Sequence, residues 1–193
     1  MAKYSNGENN QAIEIQRKID QTLKELEQIR NTQNALTNPD DLQTTEMAII
    51  SATDKLAALM TALKIQDAVD SDALKEEADQ LVLSIPAKLK NQGRRLVSIQ
   101  TSRGKPIQVA APYFSRKKKL KQKKKNHKAA VYPTLLLLGI HDGFTPSMSS
   151  EVSMLAAMLS SFEETSKIFK DRGISRGSIF SNLTLALQTK FCL

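Results

Sequence analysis

The chain has 193 residues, a net charge of +8, 40% hydrophobic residues, only 5% aromatics and no tryptophan. That length admits one domain or two small ones with a real core. A lone cysteine, Cys192, excludes an internal disulfide framework, and the longest apolar run, residues 135–138 with Ile140 after a glycine, is too short to span a bilayer. The polar start, MAKYSNGENNQ, carries no apolar core of a secretory signal, so a cytoplasmic, nucleoid-associated protein is expected.

Residues 12–30 place Ile15, Ile19, Leu23, Leu26 and Ile29 at steps of four, four, three and three, a helical stripe with charges opposite. Packing of helix on helix accounts for it, and self-association of this helix is the other reading. A polar break around Asn38-Pro39 separates it from a second helix at residues 45–66, whose Ile49, Leu56, Met60 and Leu63 share one side. Ser71 suits the N-cap of a third helix carrying Leu74, Ala78, Leu81 and Ile85 and stopped by Pro86.

From Arg94 the period becomes extended. RRLVSIQT and KPIQVAAPYF flank Ser102-Arg103-Gly104, and Ile107, Val109 and Ala111 alternate with Gln108 and Ala110, which predicts a β-hairpin over residues 95–111. Directly after it, FSRKKKLKQKKKNHK packs nine cations into residues 116–128: Arg116, Lys117, Lys118, Lys119, Lys121, Lys123, Lys124, Lys125 and Lys128. Such a run repels itself and cannot bury a core face.

The charge is concentrated as well as positive. Residues 1–90 hold ten Lys and Arg against fifteen Asp and Glu, residues 91–130 hold thirteen against none, and residues 131–193 hold five against five. A field that local attracts phosphate polymers. Lysine is a point charge without the fork of arginine, so the arm should add affinity rather than sequence choice. No aromatic interrupts the run, which argues against a base-stacking platform for single strands.

Thr145-Pro146 marks a helix start for residues 147–160, with Val152, Leu155, Ala156 and Leu159 on one face. Ser161 to Glu164 has capping-box spacing and opens a further helix that ends at Gly173. SRGSIFSNLTLAL then gives the layout of a helix-turn-helix, with Ser175, Arg176 and Ser178 as donors at the N-terminus of its second helix. Plain helical packing is the competing reading of that pair. The expected architecture is mostly α with a small β-hairpin: a helical region at 1–90, the hairpin and lysine-rich arm at 91–130, and a helical region at 131–193.

Catalytic constellations are missing. His127 lies in the basic run, and His141 beside Asp142 in GIHDG reads as a loop hydrogen bond rather than a dyad. No Cys or His spacing suits a metal, and no phosphate loop occurs, so neither cofactor nor metal nor enzymatic activity is expected.

The stretches GRRLVSIQTSRGKPIQVAAPYFSRKKK and YPTLLLLGIHDGFTPSMSSEVSMLAAMLSSFEETSKIFKDRGI resemble the N-terminal half of a Kra-type bacterial insertion-sequence transposase. The resemblance covers about residues 45–175 and includes Arg103, Gly104, Pro112, Tyr113, Phe114, Tyr132, Pro133, Gly139, Thr145, Pro146, Glu151 and Gly173. It implies double-stranded DNA at transposon ends as partner, with a homo-oligomer or an intact transposase as further partners. In full-length relatives an RNase H-like domain with a two-metal Asp-Asp-Glu site performs strand transfer. This chain stops at Leu193, and its tail departs from the pattern after about residue 175, as a truncated or frame-shifted copy would.

The reading from sequence is therefore a DNA-binding N-terminal module that contacts phosphates through Arg94, Arg95, Arg103, Lys105 and the lysine arm. A basic RNA- or ribosome-associated protein and a non-functional pseudogene product are the alternatives.

Overall fold

The computed structural model describes residues 8–32, 36–86, 89–103, 105–116, 131–158, 164 and 167–168. Among them, five helices and one antiparallel hairpin are formed: α1 (Glu8–Asn31), α2 (Pro39–Asp70), α3 (Asp72–Ser84), β1 (Leu89–Ile99), β2 (Ile107–Arg116), α4 (Pro133–Leu137) and α5 (Pro146–Met158). The mostly helical architecture with a small hairpin is the one its patterning predicts.

Local chemistry sets the helix boundaries. Asn38 caps α2 by accepting the Asp41 amide at 2.9 Å, with Pro39 in the first turn, where a missing N–H costs nothing. Ser71 closes α2 and opens α3, its hydroxyl accepting the Leu74 amide at 3.4 Å. α2 packs along α1, and a Lys55–Glu25 ion pair at 2.8 Å joins the two helices.

The stripe on α1 differs from the expected one. Thr22, fully buried, takes the place given to Leu23, which is 44% exposed. With Thr22 the inward positions are Ala12, Ile15, Ile19, Thr22, Leu26 and Ile29, stepping three, four, three, four, three, the seam of two packed helices. Thr22 can be buried because its hydroxyl donates to the Lys18 carbonyl at 2.8 Å, leaving a valine-like surface. On α2 the inward side is Ala52, Ala58, Ala62, Gln66 and Val69, so Ile49 and Met60 lie outside it. Alanines at the contact let α1 and β2 come close, which larger side chains would prevent.

The hairpin is longer than predicted, pairing Leu89 with Arg116 at one end and Ile99 with Ile107 at the other. A bulge between Asn91 and Arg94 is turned by Gly93 at φ +89°, whose amide donates to the Asn91 side chain at 2.8 Å. The expected alternation holds: Ile107, Val109 and Ala111 are buried and join Ile99, Ile15, Ile19, Ala58, Ala62, Val69, Leu135 and Ile140 in one core. β2 lies against α2 and α4, and α3 packs on α4. Beyond β1, Gln100 bridges to Phe144, with Gln100 N donating to Gly143 O at 2.7 Å. Gly143, at φ +78°, comes so close that a Cβ there would sit 2.9 Å from the Ser98 carbonyl. GIHDG is thus a turn that docks the C-terminal region on the hairpin, with His141 and Asp142 exposed in it.

Candidate nucleic-acid interface

β2 delivers the chain into the basic run, and the two ends of that run are held together. The Phe114 amide donates to the Val131 carbonyl at 2.8 Å, and the Val131 amide donates to the Phe114 carbonyl at 2.9 Å. Sequence reading attached the run to the hairpin at one end. The structure attaches it at both, because the chain leaves after Arg116, paired with Leu89, and returns at Val131, two residues before α4. The described residues on either side of 117–130, a stretch with eight lysines and no acid, are therefore held side by side. Folding bears the entropy of bringing these two ends together.

The root is aromatic. Tyr113 and Tyr132 face each other with ring centroids 6.1 Å apart, and the Arg95 guanidinium lies 4.0 Å above the Tyr113 ring. These tyrosines stand in the PYF and YP motifs, but nothing in the linear pattern brings them together. The long-range pairing of Phe114 with Val131 does. Arg95 is exposed, so its charge stays at the mouth of the loop while the stack fixes its position.

Arg94 has a different task. Its Nη2 pairs with the Asp70 carboxylate and donates to the Ala110 carbonyl at 2.7 Å. Gln66, fully buried on α2, completes the clasp. Its Oε1 accepts the Ala110 amide at 2.9 Å, and its Nε2 donates to Ala110 O at 3.2 Å and to Asp70 at 2.9 Å. A side-chain amide thus takes the place of a third strand on the open edge of β2, where unpaired backbone groups would otherwise be buried. Arg94, expected to reach phosphate, is engaged inside the fold.

Arg103 and Lys105 are exposed at the other end of the hairpin, in the connection between β1 and β2. Nine residue steps along β2 separate the two ends, about 30 Å at the usual strand rise. The structure therefore does not bring these cations to the root of the loop. They border a cavity of about 760 Å³ between α1, α2 and the connection, lined also by Ile15, Ala58, Ala62 and Ile107 and by Lys18 and Lys55. Lys18 is paired with Glu14 at 3.3 Å, and Lys55 with Glu25, so half of this cationic set is already compensated. The Lys18 hydrogen bond, helped by Arg17, holds the Glu14 carboxyl below its ordinary value.

Lys117, Lys118, Lys119, Lys121, Lys123, Lys124, Lys125 and Lys128, together with Ser175, Arg176, Ser178 and the whole helix-turn-helix reading, lie outside the described residues. Arg116 closes β2. Among the described residues no group of three or more His, Cys, Asp or Glu could hold a metal ion, and no helix is long and apolar enough to cross a membrane. Comparison with known protein families, with curated proteins and with solved structures returned no match.

Proposed function

We propose that the chain is a nucleic-acid-holding module that grips duplex DNA through the lysine loop at residues 117–130, as the end-binding part of an insertion-sequence transposase would. The observation that carries this reading is a run of eight lysines without a carboxylate, on a loop whose two ends are hydrogen-bonded together at Phe114 and Val131. Arg95 and Arg116 stand at its root, and Arg103 and Lys105 at the far end of the hairpin supply a second, weaker contact. A separation of about 30 Å between the two spans roughly nine base-pair steps of B-form duplex. Phosphate contacts of this kind set affinity and position and carry no sequence information themselves.

The catalytic carboxylates of the resembled enzymes fall outside the matched stretch, so the module's part is holding DNA, not cutting it. The test is fluorescence anisotropy with a labelled duplex carrying the element's terminal repeat, in dilute salt. Replacing Lys117, Lys118, Lys119, Lys121, Lys123, Lys124 and Lys125 by glutamine should abolish binding while leaving the circular dichroism unchanged. Equal binding by that variant contradicts the proposal, and preferential displacement by structured RNA assigns the loop to RNA instead.

A further inference from the structure

We propose that the cavity between α1, α2 and the β1–β2 connection takes a nucleoside 5′-phosphate, with the base on its apolar floor and the phosphate at Arg103 and Lys105. This rests on the nucleic-acid reading only for the source of the nucleotide, since none of the residues that build the site belongs to the lysine loop. A volume of about 760 Å³ is within the usual range of small-molecule sites, which are apolar with a few placed polar groups. Buried Ile15, Ala58, Ala62 and Ile107 form the floor, and the half-buried Leu59 widens it.

The cations around this floor are of two kinds. Lys18 and Lys55 are already neutralised by Glu14 and Glu25. Arg103 and Lys105 line the cavity exposed, with no ion pair among the described residues. The buried Thr101 hydroxyl donates to the Arg103 carbonyl at 2.5 Å, which fixes the backbone carrying the first of them. Two uncompensated cations two residues apart suit a phosphate, whose oxygens can accept from both.

The helices contribute polar groups of another sort. Asp54, half-buried on α2, lines the cavity with no ion pair or hydrogen bond among the described residues. Gln11 and Gln21 of α1 line it too, and Gln11 is held by donating from Nε2 to the Gln108 carbonyl at 3.2 Å. An aliphatic anion would leave this carboxylate and these amides against methylenes, which is unfavourable. A nucleobase offers an apolar face to the floor and a polar edge to the amides, the combination by which pockets receive an unstacked base. An ionised carboxylate only accepts, so Asp54 selects a base with an exocyclic amino group, adenine or cytosine, over thymine.

The test uses the full chain with the seven lysines between residues 117 and 125 replaced by glutamine, so that phosphate drawn to the loop does not contribute. Titration with dAMP, dCMP and dTMP, followed by amide NMR shifts, should move the signals of Asp54, Arg103 and Ile107. dAMP and dCMP should bind about tenfold more tightly than dTMP. Arg103→Gln with Lys105→Gln should weaken dAMP at least about tenfold, and Asp54→Asn should erase or reverse the preference against thymine. No response of these signals to millimolar dAMP overturns the proposal, as does a response indifferent to the Arg103 and Lys105 changes. Deoxyribose 5-phosphate binding as tightly as dAMP would leave an anion site only, and laurate binding more tightly would leave an aliphatic one; either overturns it. On the native chain, shifts with a duplex carrying one unpaired 5′ dA but not with a blunt duplex would assign the nucleotide to a strand end. Shifts with free dAMP alone would assign it to solution, and both fit the same site chemistry. Failure of these titrations leaves duplex binding through the lysine loop untouched, and loss of that binding leaves the titrations readable.

Discussion

The two ends of the hairpin face opposite problems and are built differently. At the root, Tyr113 and Tyr132 pack together and a backbone bridge joins Phe114 to Val131, while partway along β2 Gln66, Asp70 and Arg94 hold Ala110 from the side of α2. At the tip, the connection between β1 and β2 leaves Arg103 and Lys105 in solvent, and the strand is tied down through the Gln100 bridge to residues 143–145. The Tyr113 ring fixes the Arg95 guanidinium at the root, whereas Arg103 and Lys105 stand exposed at the tip.

Substitutions at the two ends should separate these roles. The largest effect is expected at the clasp: Gln66→Leu keeps the volume but leaves the Ala110 amide buried without its acceptor and Asp70 short of a donor, a loss of about 3 kcal/mol in denaturant unfolding. An unchanged midpoint would mean that the edge of β2 is not sealed by this side chain. Next, Gly143→Ala must place a Cβ against the Ser98 carbonyl at positive φ, and should cost about 2 kcal/mol while sparing the root. Tyr113→Leu removes the ring beneath Arg95 and its tyrosine neighbour, for about 1 kcal/mol. It should also lower DNA affinity more than its stability loss explains, because Arg95 is then no longer positioned. At the tip, Arg103→Gln and Lys105→Gln should leave the unfolding midpoint within about 0.5 kcal/mol and flatten the salt dependence of binding by about 0.9 for each phosphate no longer neutralised.

The smallest effect is a pH dependence. The Thr37 side-chain hydrogen bond, with further bonds from its backbone and from Asn38, holds the Asp41 carboxyl below its ordinary value, and Lys18 does the same for Glu14. Folded-state values below the unfolded ones mean that this stabilisation is fully present above the ordinary carboxylate range, near pH 4, and is lost as the pH falls through it. Both groups are partly open to solvent, so the slope should be shallow, and Asp41→Asn should remove the part due to the α2 cap.

Much of this frame is legible in the sequence because it rests on local chemistry. Ser71 and Asn38-Pro39 fix helix boundaries through caps a few residues away, and the alternation of Ile107, Val109 and Ala111 announces a strand with one buried face. What resists reading depends on partners distant in sequence. Leu23 looks better suited to a core than Thr22, yet the seven-residue rhythm imposed by α2 selects Thr22, whose hydroxyl is satisfied within α1. Ile49 and Met60 look like core residues until α1 and β2 choose the alanine side. Gln66 has no signal at all, since its value lies in an Ala110 backbone edge forty-four residues away. For the candidate site the charge run is plain from composition, whereas its closure at Phe114 and Val131 is not. The same holds for the engagement of Arg94 by Asp70, which only the packed structure displays.

The most direct test of the account is the dependence of duplex binding on salt for the intact chain and for the chain with its lysine loop changed to glutamine. The account predicts that the intact chain loses affinity with a log–log slope of about −4 to −5, as expected for some four to six phosphate contacts, and that the changed chain shows no measurable binding. A slope near zero for the intact chain, or equal slopes for the two, would contradict it.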